Sequence, residues 1–279
     1  MRNPGELDND LLVRSRSALL DALEALAPHK DSVVVIGAQA VYLRTSAAPV
    51  ALAETTKDSD LVLDPRTLED DPLIEQAMTS AGFYRNLDQV QPGAWLNAEG
   101  ISVDLMVPEF LAGPGGPRAR GARIPPHDAH ATRRARGLEA ALIDNDLMTV
   151  SALEPEDNRS YQALVAGSMA LLIAKTHKIA ERLNTPTRLV DKDAHDIYRI
   201  LIDSDTETLA VKFAQLLDDE MSAEITGDAR THLRELFASG PEATGSMMAG
   251  RAEEGIGEPA TVALQTSLLA ADLLKVVDS

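Results

Sequence analysis

The sequence predicts a mixed α/β core followed by an α-helical C-terminal half. Three observations carry this. Apolar runs of strand length at Val33–Ile36, 61–63 and 101–107 alternate, in the first half, with stretches spaced for helix. A polar break, Glu154-Pro155-Glu156-Asp157, follows them, and the apolar spacing beyond it reads as helical. Aromatic residues are 3% of the chain while Ala and Leu are frequent, which favours helix packing. The expected domains are residues 1–155 and 156–279.

Taken in order, Leu11, Leu12, Leu19, Leu20, Leu23 and Leu26 recur at helical spacing, and Ala27-Pro28-His29 ends that helix. Val33–Ile36 is β-branched and fits a buried strand, broken by Gly37 where a helix over 38–44 can begin. Residues 45–56 are rich in small residues and read as a loop. Asp58-Ser59-Asp60 leads into the apolar run 61–63, and Asp64-Pro65 stops it. A helix is expected over 67–81, short strands over 83–87 and 93–97, and a further strand over 101–107 closed by Pro108. The apolar runs 138–143 and 147–153, split by Asp144-Asn145-Asp146, suggest a hairpin finishing the sheet. Helices are then expected over 161–183, within Arg188 to Leu201, and over 208–221, 228–238 and 260–277, with a flexible connection around Met247-Met248 and Glu253-Glu254-Gly255.

The chemistry concentrates in residues 33–64. In a strand, residues two apart share a side, so Asp58 and Asp60 present two carboxylates together. Two such groups stay ionised most easily around a cation. Mg²⁺ prefers oxygen ligands and keeps waters and substrate phosphates in its shell. A glycine turn at a helix start supplies backbone N–H groups for an anion. Together these features suggest metal-assisted handling of a nucleoside triphosphate. Asp104 lies mid-strand among apolar residues. It faces either solvent at a sheet edge or a cation or donor cluster, because a buried carboxylate without partners is costly.

G-A-Q-A-V followed by T-K-D-S-D-L resembles the glycine turn and D-x-D strand of the nucleotidyltransferase superfamily, and is most similar to the AbiEii/MenT group. Ala38 stands where that family has Gly or Ser, and Glu54 where many relatives carry Arg. L-L-I-A-K-T-H-K-I-A-E-R resembles the group's third motif, with Lys175 at the nucleotide-approaching lysine. D-K-D-A-H-D-I resembles the fourth, a K-D-x-x-D-L helix with Ile197 at the Leu. The resemblance covers roughly residues 33–201. It implies a nucleotidyltransferase-like mixed sheet with flanking helices. It also implies one or two Mg²⁺ ions on Asp58, Asp60 and Asp104, and a triphosphate cradled by Gly37 and Ala38. Lys175 would neutralise phosphate charge, Asp193 would serve the acceptor, and Asp196 would support it. The implied acceptor is RNA, often tRNA, and the implied partner is a cognate antitoxin. A small-molecule adenylyltransferase of the aminoglycoside type, or a nucleotide-binding module without catalysis, would use many of the same residues.

Composition bounds these readings. The net charge of −18 argues against a broad basic nucleic-acid surface. The absence of cysteine excludes disulfides and thiolate metal sites. No signal peptide and no uninterrupted apolar run of bilayer length is expected, which implies a cytoplasmic protein without a membrane segment. One basic island interrupts the acidity: Arg118, Arg120, Arg123, Arg133, Arg134 and Arg136, with His127 and His130. It reads either as a solvated loop or as a mobile arm receiving phosphates. The two histidines lack the Cys or acidic neighbours of a zinc site. On the helix over 161–183, Lys175, Lys178 and Arg182 share one face, and a basic stripe of this kind is ordinarily solvated. His177 and Lys178 are expected at the surface or behind the site, and Asp191 as an N-cap.

Overall fold

The computed structural model describes the backbone of residues 4–48, 56–85, 91–115 and 119–279, and side chains from residue 10 onward within those ranges. Glu54, Arg118 and parts of the expected 45–56 loop and 83–87 strand lie outside them. The architecture is mixed α/β, and the chain divides into two compact units. One comprises Met1–Ala40 with Thr55–Ala166, the other Val41–Glu54 with Gly167–Ser279. The first unit thus runs on through a last strand that ends at Ala166.

In the first unit, α1 (Pro4–Ala25) precedes β1 (Val33–Ile36), and Gly37 opens α2 (Gly37–Arg44). β2 (Asp58–Leu63), α3 (Ile74–Ser80), β3 (Tyr84–Arg85), β4 (Ala94–Leu96), β5 (Ser102–Pro108), β6 (Arg133–Ala135), β7 (Asn145–Ser151) and β8 (Ser160–Ala166) follow. They form an eight-stranded sheet in the order β3-β4-β5-β2-β1-β8-β7, with β6 also beside β5. The β1–β8, β2–β5 and β5–β6 pairs are parallel and the others antiparallel, so the sheet is mixed.

α1 lies on the sheet face formed by alternate residues of β2. Ser59, Leu61 and Leu63 are buried on that side, as are Leu19, Leu20 and Leu26. Each such leucine contributes about 1.5–3 kcal/mol by leaving water. A polar network fixes the register: Ser59 Oγ donates to the Ser15 carbonyl at 2.9 Å, and Gln39 Nε2 donates to Ser15 Oγ at 2.9 Å. The buried Arg16 donates to Gln39 Oε1 and to the Ser151 carbonyl, both at 2.9 Å. Burial alone lowers its pKa from the ordinary arginine value. With Ser59 held on the α1 side, the pleat turns Asp58 and Asp60 to the opposite face.

Several expectations are corrected. The helix expected over 67–81 is confined to Ile74–Ser80, because Pro72 biases the residue before it towards extended backbone. The hairpin expected within 138–153 is absent: Glu139–Leu142 is a 3-10 turn, and β7 pairs instead with β8 along Asn145–Ser151. Residues 161–166, expected to begin a helix, are that strand. Gly167, in extended conformation, is where the chain switches into α4 (Ser168–Arg182).

The second unit continues with α5 (Asp191–Asp203), α6 (Thr206–Asp218), α7 (Ala223–Leu233), a π-helical turn (Arg234–Ala238), α8 (Thr244–Arg251) and α9 (Pro259–Val277). Of the stretch expected to be flexible, Met247-Met248 lies in α8 and Glu253-Glu254-Gly255 forms the turn after it, with Met248 and Glu253 buried. Asp191 is the first residue of α5 rather than its cap, and pairs with Arg251 at 2.7 Å. By length and composition α9 could cross a membrane, although Gln265, Asp272 and Lys275 interrupt its apolar run. The core helix of a folded domain passes the same test, and Val262, Thr266, Ala270 and Leu273 are buried at helical spacing along one side.

Candidate active site

Strand register assembles the acidic residues. Across the parallel β2–β5 ladder, Asp58 stands opposite Ser102 and Asp60 opposite Asp104. Being two apart or directly paired, the three aspartates share one face of the sheet. Asp58 is exposed, while Asp60 and Asp104 are half-buried. Hydroxyls steady two of them in the same way. Thr56 Oγ1 donates to Asp58 Oδ1 at 2.8 Å, and Ser102 Oγ donates to Asp104 Oδ1 at 3.0 Å. In each case the hydroxyl is two residues before the carboxylate: Ser102 and Asp104 share β5, whereas Thr56 lies just before β2.

Gly37 is held against this face. Ile36 pairs with Asp60 across β1–β2, and a Cβ at Gly37 would fall 2.1 Å from Asp60 Oδ2. The backbone there has φ +68°, a region that L side chains rarely adopt. Glycine is therefore required twice over, by conformation and by proximity. The consequence is that the first turn of α2 begins beside a carboxylate. Ala38 is buried and carries no side-chain donor, so only backbone N–H groups are offered at that turn.

Asp104 has an additional partner. Arg133 Nη2 donates to Asp104 Oδ2 at 3.1 Å and lies 3.0 Å from Met106 Sδ. The juxtaposition follows from a seam along one edge of β5. β4 covers that edge at Ser102–Asp104 through Leu96–Ala94, and β6 takes over at Met106, which pairs with Arg133. Gly93 sits at the junction with φ +79°, where a Cβ would lie 2.3 Å from the Leu105 carbonyl and 2.7 Å from the Arg133 nitrogen. The sequence treats Arg133 only as one of a basic run. Neither the pairing nor the seam leaves a local signal, because both depend on strands remote in sequence.

Among the described residues of the basic run, Arg120 and Arg123 are exposed, while Arg134 and Arg136 are turned onto neighbouring chain. Arg134 donates to the carbonyls of Ala112 and Gly113 at 3.1 and 2.7 Å. Arg136 approaches Glu109 at 3.9 Å. His127 is buried and its Nδ1 accepts from the N–H of Ile74, the first residue of α3. Burial and the neighbouring His29 lower its pKa, which suits a neutral acceptor. His130 pairs with Asp128 at the surface.

Lys175, Asp193 and Asp196 come together in the second unit. Lys175 Nζ lies 2.8 Å from Asp193 Oδ1 and 2.7 Å from Asp196 Oδ2, and all three side chains are at most 6% exposed. The Asp196 contact is an ion pair by distance, without hydrogen-bond geometry. Lys178 and Arg182 reach Asp193 at 2.9 and 3.5 Å. The basic stripe of α4 is thus turned onto α5, with Lys175 buried and Lys178 still 40% exposed. Burial opposes the charge on Lys175, but the two carboxylates outweigh it and its pKa is raised. Burial likewise opposes the Asp193 charge, and Lys175 with Lys178 more than reverses this, holding it below the usual carboxylate range. His177, expected near the surface, is buried and hydrogen-bonds the Ile225 carbonyl at 2.7 Å. Any approach of Lys175 to a phosphate, or of Asp193 to an acceptor, requires this pairing to loosen.

Among the described residues, no group of three or more His, Asp or Glu side chains is disposed to hold a metal ion. Asp58 and Asp60 nonetheless fit Mg²⁺ by donor chemistry, since that ion is commonly held by one or two carboxylates together with substrate phosphates. Asp104, engaged by Arg133 and Ser102, does not complete a third position in this arrangement. Comparison of the chain with protein-family models, with curated proteins and with solved structures finds no match.

Proposed function

We propose that the protein is a nucleotidyltransferase, moving a nucleoside monophosphate from a triphosphate to an acceptor hydroxyl, with RNA as the acceptor and a toxin role in an AbiEii/MenT-like pair. The observation that carries this reading is the approach of Gly37 to Asp60, which sets a helix start beside a carboxylate-bearing strand. In the proposal, backbone N–H groups at the start of α2 bind phosphate oxygens, assisted by the helix dipole. Asp58 and Asp60 would hold a divalent ion, which when bound supplies positive charge to the phosphates. Gly37 excludes any side chain from the gap and so permits close approach. Thr56 and Ser102 orient the carboxylates at Asp58 and Asp104, limiting the reorganisation needed when substrate binds.

Lys175 and Asp193 enter the proposal as residues that hold α4 and α5 together. Their direct participation through nucleotide and acceptor is tested below. The net charge of −18 also favours a cationic acceptor such as an aminoglycoside. Purified protein should be incubated with each α-labelled triphosphate, Mg²⁺ and either total tRNA or aminoglycosides. Label transferred to RNA is the expected result; transfer to the small molecule alone would replace the acceptor class. No transfer with any triphosphate would overturn the enzymatic reading.

A further inference from the structure

Resting on the nucleotidyltransferase reading, we propose that Arg133 is a built-in cation that keeps Asp104 out of metal coordination, so that the acidic face takes a single divalent ion on Asp58 and Asp60. Three observations support it. Asp104 directly opposes Asp60 in the β2–β5 register, the position from which it could share an ion. Both of its oxygens already accept hydrogen bonds, Oδ1 from Ser102 and Oδ2 from Arg133. Arg133 is held there by the backbone: β6 pairs with β5 at Met106, and only glycine fits the Gly93 junction beside it.

A guanidinium suits this role. It stays charged at all accessible pH values and has a planar set of donors, so one N–H group can hold a carboxylate while others remain for a phosphate. Arg133 Nε is buried without a hydrogen-bond partner, and the side chain as a whole is 28% exposed. A guanidinium and a second metal ion beside one carboxylate would repel each other, so each occupancy excludes the other. Arg133 is thus a positioning residue: it acts on ion number through Asp104.

The experiment counts bound Mn²⁺ by electron paramagnetic resonance, using the full chain saturated with a non-hydrolysable triphosphate. The wild type should retain one Mn²⁺ per chain with no spin coupling. Arg133→Gln should retain a second, coupled to the first, and Arg133→Lys should remain at one. Adding Asp104→Asn to Arg133→Gln should return the count to one. Two coupled ions in the wild type would overturn the inference while leaving nucleotidyl transfer standing. So would a single ion in an Arg133→Gln chain whose circular dichroism and melting match the wild type. If Arg133→Gln does not fold, the wild-type count alone decides. Failure of the wild type to retain any Mn²⁺–triphosphate would overturn the nucleotidyltransferase reading itself, and the inference with it.

Discussion

The acids of β2 and β5 and the acids of α5 are treated in opposite ways. Asp193 and Asp196 are sealed from water and clasped by Lys175, with Lys178 and Arg182 at their rim. Asp58, by contrast, is exposed, accepts a hydroxyl hydrogen bond from Thr56, and among the described residues enters no ion pair. A buried charge must be compensated by the protein itself, whereas an exposed one is compensated by water and remains available to a ligand. Aspartates near a strand or helix start thus serve cohesion at α5, whereas at the start of β2 Asp58 stays open to solvent and to a ligand. Burial separates the two cases, and sequence pattern does not.

The comparison is broken most directly by removing Lys175. Lys175→Met would leave Asp196, 1% exposed, without the cation that faces it. Removing one partner of a buried pair costs about 3–5 kcal/mol. Urea unfolding should show that loss, and Lys175→Met/Asp196→Leu should recover most of it. Retention of full stability in Lys175→Met, with lost triphosphate binding by isothermal titration, would instead give Lys175 a ligand role. Asp193→Asn, which keeps the shape but weakens the pairing, should cost less. If its nucleotide affinity stays intact while turnover collapses, Asp193 serves the acceptor.

Gly37→Ala is next in size. It forces a Cβ to 2.1 Å from Asp60 Oδ2 at a backbone angle of +68°. Strain and overpacking together should cost about 1–4 kcal/mol. Transfer should fail even at temperatures where the variant is folded, because the start of α2 is pushed from Asp60. A variant as active as wild type would remove the observation on which the proposed function rests.

The pH dependence of stability sharpens the contrast further. The Asp193 pKa is lowered on folding, so its contribution is complete above the unfolded value of about 4 and is lost as pH falls through the lower folded value. The Lys175 pKa is raised, so its contribution is complete below the unfolded value of about 10.4 and is lost as pH rises through the higher folded value. Between these limits the pair contributes a flat plateau. In Lys175→Met, Asp193 keeps Lys178 and Arg182 while Asp196 loses the cation that faces it. A buried carboxylate that has lost its cation binds its proton more tightly when folded, so the loss of stability on acidification towards pH 4 should be smaller in the variant than in the wild type. Chemical denaturation at several pH values checks this, and parallel profiles for the two chains would contradict it.

Much of the first region is legible in the sequence for a local reason. Val33–Ile36 is a continuous β-branched run of strand length, and the side shared by Asp58 and Asp60 follows from spacing alone. The mixed α/β class follows from the same runs. What escapes is whatever depends on distant pairing. β8 hides because the apolar residues of 161–166 run into those of α4, and only the extended Gly167 divides them. Arg133 hides because β6 meets β5 across more than twenty residues of intervening chain. Lys175, Lys178 and Arg182 read as a solvated stripe because helical spacing tells which residues share a face, but not what that face meets.

The smallest stability effect is expected at Asp58, and it tests the comparison from the other side. Asp58→Asn removes a charge from an exposed position while keeping size and one hydrogen-bonding oxygen for Thr56. Exposed substitutions of this kind change stability by about 0.5 kcal/mol or less. The sign should be neutral or favourable, since Asp60 and Asp104 share the face and like charges there repel. Nucleotidyl transfer, however, should fall by about a hundredfold or more, the scale typical of losing one electrostatic group at a reacting centre. Melting and transfer rate measured on the same preparation decide it. A fall of more than about 2 kcal/mol would mean that the Thr56–Asp58 contact anchors the start of β2, since surface changes away from such features stay near 0.5 kcal/mol. Asp58 would then belong with the cohesive acids of α5, and the division between the two regions would have to be drawn by something other than burial.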